Sequence, residues 1–111
     1  MNLIFRVDAS AEIGNGHFYR CLNLAETFEK KHKIFFISCN LNNLLEKKLK
    51  ERKINLINIK KTKNQLLDAS ITLKKIKTKK IYDSIMILDS YKLRYNWQKK
   101  LYNHTKLMFV I

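Results

Sequence analysis

The sequence predicts an α/β fold in which helices flank one parallel β-sheet. Short apolar runs, of the kind buried on both faces of a parallel sheet, alternate with segments whose apolar residues recur at helical spacing. The connections between them are short, so consecutive strands join through right-handed helical crossovers. We therefore expect a Rossmann-like sheet with strand order 3-2-1-4-5. In that order strands 1 and 4 are neighbours, and ligands bind beyond their carboxyl ends.

The first half of the chain alternates strand and helix, as this fold requires. The first strand is apolar apart from Arg6, and the helix after it carries apolar residues at spacings of three and four. In the second helix such spacing predicts a buried stripe that includes Leu41, Leu44 and Leu49, with Asn40 as the N-cap. The elements expected in this half are a strand over 2–7, a helix over 16–31, a strand over 33–38, a helix over 41–52 and a strand over 54–59.

The second half continues the alternation. A third helix carries Leu66, Ala69, Leu73 and Ile76, and a fourth carries Leu93, Trp97, Leu101 and His104 at helical spacing. Both strands here consist almost wholly of apolar residues, which favours burial on both faces. The elements expected are a helix over about 64–77, a strand over 82–89, a helix over about 93–104 and a strand over 106–111. The whole of 1–111 thus forms one domain.

The amino-acid composition limits which binding partners and which cellular compartment the sequence predicts. The formal charge is +14, with 23 Lys and Arg against 9 acids. The lysines are spread over predicted helix surfaces and no nucleic-acid motif accompanies them, so their number alone does not predict a nucleic-acid partner. No apolar run approaches the roughly 20 residues of a membrane span, and no signal peptide opens the chain. Two cysteines, Cys21 and Cys39, are too few for a disulfide framework, so we expect buried thiols in a reducing cytoplasm.

The most informative stretch is the loop between the first strand and the first helix. It contains the only two glycines of the chain, Gly14 and Gly16, with His17 immediately after them. Glycine permits positive φ and close backbone approach, and the unpaired N–H groups of a helix start suit an anion such as a diphosphate. Histidine exchanges protons near neutral pH. The alternative interpretation is a tight turn that Asn15 caps, followed by a surface histidine.

Topology predicts that two distant polar segments meet. Asp8, Ser10 and His17 follow strand 1, whereas Asp89 and Tyr91 follow strand 4. Because these strands are neighbours in the expected order, the two segments should share one crevice.

Two arginines accompany these segments. Arg6, on a strand interior, needs a partner if it is buried, and Asp89 on the neighbouring strand is the partner we expect. Arg20 lies one helical turn beyond His17 and can reach a phosphate from there. The cysteines and histidines show none of the usual metal-ligand spacings, so no metal is expected.

Three short runs of this chain resemble one enzyme family. R-V-D-A-S at 6–10, I-G-N-G-H at 13–17 and R-C-L-N-L-A at 20–25 are similar to the opening of the UDP-2,4-diacetamido-2,4,6-trideoxy-β-L-altropyranose hydrolases of pseudaminic acid biosynthesis. The apolar strand that ends in Asp89-Ser-Tyr91 resembles a second segment of that family, and Trp97 matches a later tryptophan. The resemblance is dense only over 1–25 and 84–97.

The resemblance implies both an architecture and a reaction. Members of the family have two α/β lobes of the GT-B type, so this chain would be part of an N-terminal lobe, truncated and inactive without the second lobe. The reaction would be an inverting, metal-independent release of UDP with no cofactor. His17 would be the base, and Asp8, Ser10, Gly14, Gly16, Arg20, Asp89 and Tyr91 would bind substrate. Either Asp8 or Asp89 would orient the imidazole.

Other functions fit the same sequence pattern. A glycosyltransferase lobe or a sugar-nucleotide epimerase lobe also places a glycine turn near a diphosphate. A non-catalytic α/β remnant or binding module is a different class. The combination of His17 with the Asp89-Ser90-Tyr91 match favours the hydrolase over these.

Overall fold

The computed structural model describes residues 1–10 and 13–111, in which strands and helices alternate throughout. No helix in these two ranges has the length and apolar character needed to cross a membrane. The strands are β1 (Asn2–Val7), β2 (Lys33–Cys39), β3 (Asn55–Ile59), β4 (Ser84–Asp89) and β5 (Leu107–Val110), and the helices are α1 (Gly16–Phe28), α2 (Asn43–Glu51), α3 (Gln65–Thr78) and α4 (Tyr95–Tyr102).

The strands form one sheet in the order β3-β2-β1-β4-β5, and every pairing is parallel. The predicted α/β architecture and strand order are therefore confirmed. In the central pairing Val7 of β1 lies opposite Asp89 of β4, so the two strands end at the same edge of the sheet. The segments that follow them start side by side, as the topology predicts.

Two hydrophobic cores pack on opposite faces of the sheet. Successive side chains of a strand point to opposite faces, and β1 divides accordingly. Phe5 and Val7 pack with the buried residues of α1 and α2. Ile4 packs with the buried residues of α3 and α4, among them Trp97. Because both faces of the central strands are covered, these strands are apolar almost throughout.

The start of α2 differs from the sequence prediction. Asn40 has a φ of +47°, a left-handed conformation, whereas an N-cap residue needs an extended backbone. Asn42 has that backbone, and its side chain accepts a hydrogen bond of 2.9 Å from the amide of Leu45. The helix therefore begins two residues later than predicted. Leu44, placed in the buried stripe by the sequence, is 59% exposed.

Two helices end in the same type of turn. After α2, the amide of Ile54 donates to the carbonyl of Leu49 and the amide of Lys53 donates to that of Lys50. This pair of bonds defines a Schellman motif, which requires a left-handed residue just past the helix. Lys53 fills that place with a φ of +58°. An equivalent pair of bonds closes α3, where Lys80 has a φ of +54°.

A buried ionic cluster joins β1 to α3. The Arg6 guanidinium, 1% exposed, donates to Asp68 through Nε at 3.2 Å and through Nη2 at 2.6 Å. Its Nη1 atom donates to Asp8 at 2.6 Å. Asp68 also accepts from Trp97 Nε1 at 2.9 Å and from the Thr72 hydroxyl at 3.2 Å. The buried charge of Arg6 is thus balanced and its donors are used.

The expected pairing of Arg6 with Asp89 is wrong. Arg6 lies opposite Leu88 in the sheet, and Val7 lies opposite Asp89. Alternation therefore sends the Arg6 side chain to the α3 face and the Asp89 side chain to the α1 face. Asp68 of α3, which is not among the residues predicted from the sequence, is the partner instead of Asp89.

We expect Asp68→Ala to destabilise the fold strongly, because it leaves the buried Arg6 charge short of a partner and Trp97 Nε1 without an acceptor. Removing one member of a buried ion pair costs about 3–5 kcal/mol. Urea unfolding followed by circular dichroism measures the change in the free energy of unfolding.

The matched control is Asp83→Asn. Asp83 pairs with Lys106 at 3.5 Å on the surface, where its side chain is 74% exposed, and such pairs contribute about 1 kcal/mol or less. Asparagine also tolerates the positive φ of position 83. Equal losses in the two variants would contradict a structural role for the buried cluster.

Candidate active site

A cleft of about 430 Å³ lies at the carboxyl ends of the central strands. Asp8, Ser10 and His17, which follow β1, line it together with Asp89 and Tyr91, at the end of β4 and just beyond it. These two groups are more than 70 residues apart in sequence. The structure therefore brings together the two segments that the topology predicts to meet.

Asp89 is the centre of one wall of this cleft. Its carboxylate is buried, and side chains of α1 bind both of its oxygens. His17 Nδ1 contacts Oδ1. Arg20 donates to Oδ2 through Nε at 2.9 Å and to Oδ1 through Nη2 at 2.8 Å. The Cys21 thiol lies 3.6 Å from Oδ2. Positions 17, 20 and 21 face one way because residues three and four apart share a helix face.

Opposing effects act on the ionisation of this cluster. Burial disfavours the charged form of Asp89, but the hydrogen bonds from Arg20 and His17 outweigh it and lower the pKa of Asp89 below its ordinary value. Burial, followed by the nearby Asp89 charge, raises the pKa of the Cys21 thiol to about 12. At neutral pH Asp89 is thus an anion and Cys21 a protonated donor. Cys21 is fully buried, as the sequence predicts.

The contact with Asp89 determines which nitrogen of His17 is available. An ionised carboxylate only accepts hydrogen bonds, so Nδ1 carries the proton that it donates to Asp89. The Nε2 atom then has a lone pair, and no described residue forms a hydrogen bond with it. The Tyr91 ring packs edge-on against the imidazole, with 4.9 Å between the ring centroids. His17 therefore presents a fixed tautomer at the wall of the cleft.

Asp8 does not orient the imidazole. Its Oδ1 atom accepts from Arg6 at 2.6 Å and from the amide of Cys39 at 2.8 Å. Its side chain is 25% exposed, and no described residue donates to Oδ2. Of the two carboxylates considered as partners of His17, Asp89 has that contact and Asp8 lines the opposite wall.

In the loop before α1, the backbone conformation requires glycine at position 14 but not at position 16. Gly14 has a φ of +73°, and its amide donates to the carbonyl of Ser10 at 2.7 Å. Gly16 begins α1 with an ordinary φ, and a Cβ built there meets no described atom within 4 Å. Asn15 occupies the N-cap position but makes no capping bond with its side chain. Residues 11 and 12 lie outside the described residues.

The other wall contains two residues that the sequence analysis did not assign to the site. Asp68 lines the cleft beside Arg6, and Cys39 lines it with its sulfur 3.4 Å from Arg6 Nη2. Cys39 is only partly buried, and burial raises the pKa of its thiol to about 11. A signal for Asp68 exists in the sequence, because Asp68 falls on the same helix face as the predicted core residues Ala69 and Ile76.

Arg20 lies outside the lining of the cleft, although the sequence analysis offered it as a phosphate ligand. Its guanidinium binds Asp89 through two nitrogens, and its side chain is half exposed. Gly14 and Gly16 also lie outside the lining residues. Across 1–10 and 13–111, no group of three or more His, Cys, Asp or Glu side chains is arranged to hold a metal ion.

We expect the contribution of Asp89 to the free energy of unfolding to depend on pH. A carboxylate whose pKa is lowered by folding stabilises the fold above its unfolded pKa of about 3.9, and this stabilisation is lost as the pH falls through the lower folded value. Asp89→Asn lacks this dependence. The difference in unfolding free energy between wild type and Asp89→Asn should therefore shrink as the pH falls from 5 to 3. Urea unfolding at each pH measures it, and a difference that stays constant would refute the lowered pKa.

The two glycines should respond oppositely to alanine. Gly14→Ala forces a Cβ into a left-handed backbone and should destabilise the fold by about 1 kcal/mol or more. A Cβ at position 16 has no described atom within 4 Å, so Gly16→Ala should leave stability unchanged or raise it by about 0.4–1 kcal/mol. Thermal and urea unfolding of the pair test this, and a loss of stability in Gly16→Ala would show that position 16 is crowded.

Comparison with protein-family models, with curated proteins and with solved structures finds no match for this chain. The resemblance to the hydrolase family therefore stays a prediction from the short runs over 6–25 and 85–91. Those runs supply most of the polar side chains on the Asp89 side of the cleft.

Proposed function

We propose that this chain is part of the N-terminal lobe of a GT-B-type nucleotide-sugar hydrolase. The enzyme would release UDP from UDP-2,4-diacetamido-2,4,6-trideoxy-β-L-altropyranose in the cytoplasm, as a step of pseudaminic acid biosynthesis. The observation that carries a hydrolytic role is the contact of His17 Nδ1 with the buried Asp89 at the junction of β1 and β4. The identity of the sugar comes from the family resemblance alone.

The proposed reaction needs a base and little acid assistance. The lone pair of His17 Nε2 takes a proton from a water molecule as the water oxygen bonds to the anomeric carbon. The bond between that carbon and the diphosphate oxygen breaks, and UDP leaves with the electron pair, so the configuration inverts. Asp89, already hydrogen-bonded to Nδ1, stabilises the imidazolium that forms. Neither a metal nor a cofactor has a step in this scheme.

The remaining predicted residues suit substrate binding. Asp8 has an oxygen without a described donor and faces the cleft, so it fits a sugar hydroxyl or amide N–H. Ser10 and the exposed Tyr91 also line the cleft. No described atom lies within 4 Å of a Cβ built on Gly16, so among the described residues nothing covers that position, and the first turn of α1 suits a diphosphate.

The resemblance also implies a partner for this lobe. In a GT-B arrangement a second α/β lobe faces the carboxyl edge of the first sheet and supplies the uridine site. A glycosyltransferase would use the same base to deprotonate an acceptor hydroxyl instead of water. Release of UDP in the absence of any acceptor therefore separates hydrolysis from transfer.

We expect His17→Ala to abolish most UDP release. The test uses the chain continued into the second lobe of a hydrolase of this family, with the UDP-sugar as substrate and no acceptor. Loss of a general base lowers the rate by about 10²–10⁴-fold. A coupled assay for UDP measures turnover, and proton NMR of the freed sugar reports inversion at the anomeric carbon.

His104→Ala is the matched control, because His104 is exposed at the end of α4 and is not among the residues that line the cleft. It should keep the wild-type rate. Near-wild-type turnover in His17→Ala would exclude the proposed base. Release that requires an added sugar acceptor would favour the glycosyltransferase alternative.

A further inference from the structure

Arg20 contacts both members of the His17–Asp89 pair. Its Nε and Nη2 atoms bind the two oxygens of Asp89 at 2.9 and 2.8 Å. Its Nη2 atom also lies 3.0 Å from His17 Nδ1. Because Nδ1 carries the proton donated to Asp89, it cannot accept a hydrogen bond from Arg20. The short distance instead places a permanent positive charge next to the imidazole.

That charge bears directly on the protonation of His17. A buried carboxylate beside a histidine favours the imidazolium, which cannot act as a base. With Arg20 present the Asp89 charge is already balanced, so a neutral imidazole gives a cluster of zero net charge. A second proton on His17 would place two positive charges 3.0 Å apart around one carboxylate.

We propose that Arg20 is a positioning residue that keeps His17 neutral and directs the Nε2 lone pair into the cleft. This inference rests on the proposed role of His17 as a base. Arg20 acts through Asp89: two parallel bonds fix the plane of the carboxylate, and the fixed plane holds Oδ1 against Nδ1.

Other charged or titratable groups lie in or beside the same cleft. On α1 the Cys21 thiol contacts Asp89 from the far side. Tyr91 and Lys92 come from the segment after β4, and Asp8 comes from the segment after β1. Of these, only Tyr91 packs against the ring, and none balances the Asp89 charge as Arg20 does. Lys92→Gln removes one positive charge that also lies at this cleft, so it is the matched control for Arg20→Gln.

The experiment is an NMR titration of the 111-residue chain, which has only three histidines. Long-range nitrogen–proton spectra of a uniformly ¹⁵N-labelled sample distinguish the two neutral tautomers from the imidazolium, and His17→Ala assigns the signals. In Arg20→Gln we expect the pH at which His17 gains its second proton to rise by about one unit or more, since the Asp89 charge is no longer balanced. Arg20→Lys retains the charge and should restore a midpoint close to that of wild type.

The controls separate a specific effect from a general one. Lys92→Gln should move the midpoint by less than a third of the Arg20→Gln shift. Equal shifts in the two variants, or an unchanged midpoint in Arg20→Gln, would overturn the proposal, as would a wild-type histidine that is the Nε2–H tautomer. Amide spectra verify folding, and the half-exposed Arg20 side chain makes the substitution mild.

The titration needs no substrate. It therefore stands or fails separately from the proposed hydrolysis, which the UDP assay of His17→Ala decides. In the active two-lobe enzyme, the acid limb of the pH–rate profile of Arg20→Gln should move upward with the His17 midpoint, and Arg20→Lys should restore it. A role of Arg20 in stability alone would lower the rate equally at every pH.

Discussion

A carboxylate buried at the end of a strand must be matched by donors, and most of this site follows from how Asp89 meets that requirement. Among the described residues, its side-chain partners are His17, Arg20 and Cys21, which lie on one face of α1. The helix is therefore fixed against β4 beside β1, where the order of strands in the sheet reverses. Because that face of α1 cannot rotate without exposing an unpaired charge, the imidazole has one orientation before any ligand arrives.

The alternation of β1 and β4 places one arginine–aspartate pair on each face of the sheet beside the cleft. Arg6 pairs with Asp68 on the α3 face, and Arg20 pairs with Asp89 on the α1 face. In each pair the carboxylate accepts several hydrogen bonds. Polar groups fixed in this way need little rearrangement when charge develops on a reacting molecule. The cleft thus combines an apolar scaffold with preformed charge pairs, although the surface of the molecule carries a large excess of lysine.

The fold can be predicted from the regular spacing of apolar residues, whereas the partner of an individual side chain depends on the register of neighbouring strands. The element order and topology follow from the spacing of apolar residues and the handedness of crossovers, and they correctly predict that the segments containing His17 and Asp89 share one cleft. The Arg6 pairing failed because sequence gives the order of strands but not which residues lie opposite, and a shift of one residue reverses the face. Asp68 was overlooked because a mid-helix acid is usually solvated. The start of α2 was misplaced because Asn40 and Asn42 are equal candidates until the backbone angles are known.

The Schellman turns after α2 and α3 have a consequence for how this chain can change. Both place lysine, at positions 53 and 80, where glycine is the usual residue, and each left-handed lysine costs on the order of 1 kcal/mol. The turns precede β3 and β4, so they lie at the amino edge of the sheet, with the full length of a strand between them and the cleft. Thermal tolerance can therefore evolve at one edge of the molecule while the residues of the cleft at the other edge stay unchanged.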